Sequence, residues 1–154
     1  MLRNTLLTVH IFSVVVWLGV GLYDFFVSHE IKKAHDRPEG VLLTRLYQKY
    51  IGVAAAGTIL VLITGVWMSL ALGHGFFQTL WLGSKQGLML VALATIPILA
   101  PLFRQLGDAM DTLPDDASAL SAEAITALKR IDPPMIVARS AGAFAIVLAV
   151  WRPM

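Results

Sequence analysis

The sequence predicts an all-α integral membrane protein, a four-helix antiparallel bundle with a short amphipathic helix between the third and fourth spans. Three observations carry this. Apolar residues make up 57% of the chain and charged residues only 14%, whereas a soluble domain carries about a quarter charged residues. Mean hydropathy is +0.73. The apolar residues also gather into four runs, about 5–27, 51–72, 80–103 and 135–151, each close to the ~20 residues that cross a bilayer core as a helix. The whole chain, 1–154, reads as a single membrane domain.

The first run is too long for a signal-peptide core and lacks a small-x-small cleavage site, so it reads as a retained span. Four spans place both termini on one side. Lys32, Lys33, Arg37, Arg45 and Lys49 fall in the first connection and Arg104, Lys129 and Arg130 in the third, while the second connection has neither Lys nor Arg and the termini supply Arg3 and Arg152. The positive-inside rule then puts the first and third connections in the cytoplasm and both termini outside. The net charge of +2 reports this topology and gives no case for nucleic-acid binding. Tyr47 and Tyr50 on one side, and Phe76, Phe77, Trp81 and Trp151 on the other, read as interfacial aromatic belts.

The connections are patterned. Asp36-Arg37-Pro38-Glu39-Gly40 reads as a break, after which Leu42, Leu43 and Leu46 extend the second helix beyond the membrane. In the third connection Leu120, Ala124, Leu128 and Ile131 form an apolar stripe with Ser121 as N-cap, and Pro133-Pro134 is expected to stop that short helix. Pro97 and Pro101 are expected to kink the third span.

Polar residues inside spans are costly and therefore informative. His10, Trp17 and Asp24 are spaced by seven, and Ser13, Gly21 and Ser28 fall near the same line, so one face of the first helix turns inward. His10, His74 and Lys85 all approach the outer half of the bundle. Imidazole is a common haem ligand, and Lys85 is suited to pairing a carboxylate. The competing readings are structural: a hydrogen bond to a neighbouring helix for His10, a loop position for His74, and snorkelling for Lys85. His29 and His35 lie in a charged connection and read as solvated. Asp24 and Arg139 read as an ion pair locking the first helix to the fourth. Gly57, Gly65, Ser69 and Gly73 in the second helix, and Gly142 with Ala143 in the fourth, mark close-packing faces. Cysteine is absent, which excludes disulfides, iron–sulfur ligation and C-x-x-C-H haem attachment.

The residues His10, Trp17 and Gly19, an aromatic run ending at His29, Leu46-Tyr47, Thr64-Gly65, Trp81-Leu82-x-x-Lys85 and a final Arg152-Pro153 resemble the HemJ-type protoporphyrinogen oxidases and the wider CopD-like set of small bacterial membrane proteins. They also resemble an uncharacterised sister family of four-span proteins. The resemblance implies haem b, with His10, His29, Trp81 and Lys85 at the matching positions; the reading of the spans adds Trp17 and His74 as candidates around the cofactor, with His10 as iron ligand. It implies a multi-pass protein of the bacterial inner membrane and, in its sharpest form, oxidation of a tetrapyrrole. The chain departs from the HemJ pattern in having Leu82-Gly83-Ser84 where a histidine is usual, and in the approach to the last span, where Asp132-Pro133-Pro134 stands. Two other functions compete: a non-enzymatic subunit of a larger membrane complex or homo-oligomer, and a copper-handling protein. Met68, Met89 and Met135 are scattered, unlike a soft-ligand copper site.

Overall fold

A computed structural model of the chain describes residues 2–71, 73 and 80–150. Four helices account for nearly all of them: α1 (Leu2–Lys33), α2 (Pro38–Ala71), α3 (Leu80–Asp111) and α4 (Ala122–Val150). All four are long and apolar enough to cross a membrane, and no strand occurs among the described residues.

The helices overshoot a bilayer. At 1.5 Å per residue the 34 residues of α2 span about 51 Å, against a hydrocarbon core of ~30 Å. The surplus lies at the end of the bundle where the α1–α2 and α3–α4 connections meet, here called the basic end. The main buried cluster sits there, with Ile31, Tyr47, Leu106, Ala124, Ile131 and Met135 among its members. The opposite half of the bundle holds a much smaller cluster of Val61, Met89 and Ala145. Large apolar side chains such as Phe12, Leu22, Ile63, Leu90 and Phe144 are exposed along the spans, as a lipid-facing surface requires.

The α1–α2 turn is tight. Backbone bonds Arg37 N–H to Ala34 and Gly40 N–H to Arg37 close it. A side chain at Gly40 would run into the Ala34 carbonyl, so only glycine lets α2 start this close to the end of α1. The α3–α4 connection is fastened over this turn. Leu120 N–H donates to the His35 carbonyl, and Arg45 pairs with Asp115 at 2.6 Å while donating to the Leu113 and Pro114 carbonyls. Lys32 pairs with Asp132 at 2.6 Å, tying α1 to α4.

The N-terminal extension of α2 is present as expected. Two expectations are corrected. Pro133-Pro134 does not stop a separate helix: the amphipathic stretch forms the first turns of α4, which runs unbroken to Val150. Ser121 does cap it, its hydroxyl accepting from Ala124 N–H at 3.1 Å. The stripe packs against the bundle, on Leu106 and Met110 of α3, and that packing holds the helix through the prolines. Tyr47 is also no belt residue. It is 2% exposed and stacks at a tilt on Phe103, whereas Tyr50 is exposed and meets Tyr23 edge-on. Helix α3 likewise continues through Pro97 and Pro101.

Helix α1 packs along α2 and α3 along α4, so the chain forms two helical hairpins. The hairpins touch far more sparsely, and chiefly through α2 and α3. Between them lies a partly open cavity of about 490 Å3, walled by all four helices.

Candidate functional site

The inward face of α1 faces α2 through two matched hydrogen bonds. His10 Nδ1 lies 2.9 Å from Thr64 Oγ1, and Trp17 Nε1–H donates to Thr58 Oγ1 at 3.0 Å. Both threonines also donate their own hydroxyl back along α2, Thr64 to the Leu60 carbonyl at 2.8 Å and Thr58 to Ala54 at 3.0 Å. A hydroxyl has one hydrogen to give. Thr64 Oγ1 stands within hydrogen-bond distance of both the Leu60 carbonyl and His10 Nδ1, so two arrangements satisfy it: the hydroxyl donates to Leu60 and accepts from Nδ1–H, which leaves the lone pair on Nε2, or it donates to an unprotonated Nδ1.

Glycines make room for these rings. An added Cβ on Gly65 would stand 3.3 Å from His10 Cε1, and one on Gly57 would stand 3.7 Å from Trp17. On the other side the Trp17 ring lies directly against Gly142 of α4. Trp17 thus plugs the interior between the two hairpins.

Near the terminal end of the bundle, Lys85 sits over the Trp81 ring at 5.9 Å and is close enough for its charge to bear on His10. Trp81 Nε1–H donates to the Leu148 carbonyl in the last described turn of α4. That bond ties α3 to α4.

Toward the basic end, Asp24 is 4% exposed. Arg139 grips its Oδ2 through Nε at 2.6 Å and Nη2 at 2.5 Å, and Nη2 also donates to Ser28 Oγ at 3.2 Å. The Tyr47 hydroxyl interacts with the same carboxylate, yet Oδ1 is buried without a hydrogen bond of full geometry. The expected lock between the first and fourth helices is therefore present. Together with Trp17 against Gly142, it bridges the two hairpins.

The predicted inward stripe holds for Ser13, Asp24 and Ser28, which are buried, and for His10 and Trp17, which are half-buried. Gly21 is accessible and lines the cavity instead. The candidate residues do not all converge. His10, Thr64 and Lys85 gather at one end, with Trp17 further in. His29 is exposed, 19 positions along α1 from His10, about 28 Å at helical rise. His74, Phe76, Phe77, Trp151 and the Arg152-Pro153 end lie outside the described residues. Among those described, no group of three or more His, Cys, Asp or Glu forms a metal cluster. Met89 and Met135 belong to different apolar clusters, so they share no soft site. Sequence reasoning missed Thr58 as the partner of Trp17 and Ser28 as the second anchor of Arg139. The signal for the threonines was there: two hydroxyls six apart in α2, opposite two ring N–H donors seven apart in α1.

The four apolar spans and their buried polar rungs define a polytopic helical membrane protein. The chain belongs to the DUF2269 family, described as predicted integral membrane proteins, and the match covers residues 4–153. No curated protein and no solved structure matches the chain.

Proposed function

We propose that this is a haem-b-binding redox protein of the bacterial inner membrane, in which His10 Nε2 would hold the iron. The observation that supports it is the hydrogen bond between His10 Nδ1 and Thr64 Oγ1, which holds the ring by one nitrogen and, in the Nδ1–H tautomer, leaves Nε2 unprotonated. Metal-bound histidines almost always donate their other N–H in this way. The donor set fits the group: an imidazole in a largely apolar setting, with the Lys85 ammonium in the same half of the bundle as the residue that would pair a propionate. Bound haem supplies one-electron chemistry. The chain's own residues orient the ring through Thr64, keep it against Gly65, and hold α3 to α4 through Trp81. The large cavity does not reach His10 and has no part in this reading. Tetrapyrrole oxidation, as the HemJ-type resemblance implies, is its sharpest form.

A pyridine haemochrome spectrum of protein expressed with ample haem tests the proposal. Wild type should carry close to one haem per chain, and His10→Ala should lose most of it. Thr64→Val keeps the ligand but removes its orienting partner, so affinity should fall about 10–100-fold. A folded, colourless wild-type preparation, or full haem retained in His10→Ala, would overturn it. Protoporphyrin fluorescence developing from added protoporphyrinogen, above that of His10→Ala membranes, would report the oxidase activity.

A further inference from the structure

Many charges at the basic end are paired within the chain: Lys32 with Asp132, Lys33 with Glu30, Arg37 with Asp36 and Arg45 with Asp115. Asp108 of α3 and Arg130 of α4 carry opposite charges and border one groove, of about 520 Å3, between the last turns of α3 and the first turns of α4. Gln105 stands beside Asp108 on one wall and Thr126 beside Arg130 on the other, with Ala109 and Ala127 between them. Both alanines are buried, so they form the floor. Asp108 and Arg130 are exposed, yet neither makes an ion pair or hydrogen bond with a described residue. The short alanine side chains keep the groove open, and its walls hold the two charges beyond ion-pair reach.

Their height in the membrane is the second observation. The third apolar run ends at Phe103 and the fourth begins at Met135, so Asp108 and Arg130 each lie five residues outside a run. At helical rise that is about 7.5 Å beyond the hydrocarbon edge, in the polar headgroup layer of roughly 5–8 Å on each side of the bilayer. Opposite charges on facing walls at this level select a headgroup that carries both signs. A guanidinium offers a phosphodiester two parallel N–H donors, and a primary ammonium donates charge-assisted hydrogen bonds to a carboxylate. A quaternary ammonium has no N–H to give Asp108. An anionic headgroup leaves Asp108 facing negative charge.

We propose that this groove binds the zwitterionic headgroup of a phosphatidylethanolamine-type lipid from the leaflet at the basic end, its phosphate on Arg130 and its primary ammonium on Asp108. Arg104 and Lys129, exposed next to the groove, attract anionic lipid in general. Asp108 supplies the discrimination.

The test titrates the full chain in detergent with phosphatidylethanolamine, phosphatidylcholine and phosphatidylglycerol of identical acyl chains, and counts bound lipid by native mass spectrometry. The first phosphatidylethanolamine should bind several-fold more tightly than either of the others. Asp108→Asn should bring it down to the phosphatidylcholine level. Arg130→Gln should weaken both zwitterionic lipids. Both substitutions are at exposed positions and should leave the melting temperature unchanged. Glycerophosphoethanolamine, the same headgroup without chains, should fail to compete even in large excess. Competition at the concentration of the lipid itself would assign the groove to a soluble zwitterion and overturn the lipid. Equal affinity for all three lipids, or a preference that survives Asp108→Asn, would overturn the site. Tightest binding of phosphatidylglycerol would reduce it to the general attraction of Arg104 and Lys129, and overturn it as well.

Discussion

At the residue scale the interior is organised by which glycine faces which ring. Gly57 and Gly142 flank the same indole but leave different room. A Cβ on Gly57 would meet Trp17 at 3.7 Å, ordinary contact, whereas one on Gly142 would fall 2.9 Å from Cζ2 and nearer still to Cη2. Rigid aromatic atoms cannot give way as a flexible side-chain end does. Gly142→Ala should therefore destabilise by about 1–3 kcal/mol, the usual cost of overpacking, while Gly57→Ala should fall well inside that. Thermal unfolding of both variants in the same detergent checks the contrast, and equal melting temperatures would contradict it. Both glycines were visible in the sequence as small-residue positions. That one of them seats a tryptophan ring was not, because small-residue spacing marks a face for close approach without saying whether a backbone or a ring will occupy it. His10 was legible as an inward polar residue by its seven-residue spacing to Trp17, yet its partner Thr64 was not, because that pairing depends on how α1 packs along α2.

At the element scale the instructive case is α4. Two adjacent prolines remove the N–H donors that would reach the Lys129 and Arg130 carbonyls, and an interior proline costs about 3 kcal/mol. Read locally, that ends a helix. Ala127, Ile131 and Met135 recur every fourth residue across the break, and all are buried in the cluster shared with Leu106 and Met110 of α3. Burying a side chain such as Ile131 or Met135 contributes about 1.5–3 kcal/mol each, enough to offset much of the proline cost. The orphaned carbonyls belong to exposed residues, where water can satisfy them. Pro133→Ala should thus stabilise the protein, by up to about 3 kcal/mol, and should slow amide exchange around Lys129. Unchanged or lowered stability would show that a bend at Pro133 is needed. The link between α1 and α4 was legible because buried charges must pair. Arg139→Met leaves Asp24 an unpaired buried carboxylate and should cost about 3–5 kcal/mol. Asp24→Leu together with Arg139→Met should recover most of that loss or exceed wild-type stability. Failure of the double variant to recover would mean that the pair, rather than its charge balance, holds the hairpins in register.

At the scale of the whole molecule, the bundle is packed unevenly: dense at the basic end, open between the hairpins within the spans. Composition and run length were sufficient to reveal four spans, since only helices satisfy their backbone inside hydrocarbon in this pattern. They could not reveal the pairing of helices, which rests on side-chain contacts between segments far apart in sequence. The dense end also bears on orientation. It carries Lys32, Lys33, Arg37, Arg45, Lys49, Lys129 and Arg130, whereas the connection between α2 and α3 carries no Lys or Arg. Short loops rich in Lys and Arg stay on the cytoplasmic side, so the α1–α2 and α3–α4 connections should lie in the cytoplasm and both termini outside. Because the chain has no cysteine, single cysteines can report this directly. Asp36→Cys and Asp116→Cys replace exposed loop residues that make no contact with the Arg45–Asp115 clasp. In intact cells both should resist a membrane-impermeant maleimide and react only once the membrane is permeabilised, while Ser84→Cys, exposed near the start of α3, should show greater reactivity from outside. Labelling of Asp36→Cys and Asp116→Cys in intact cells would invert the topology, and with it would place the His10 locus at the cytoplasmic face.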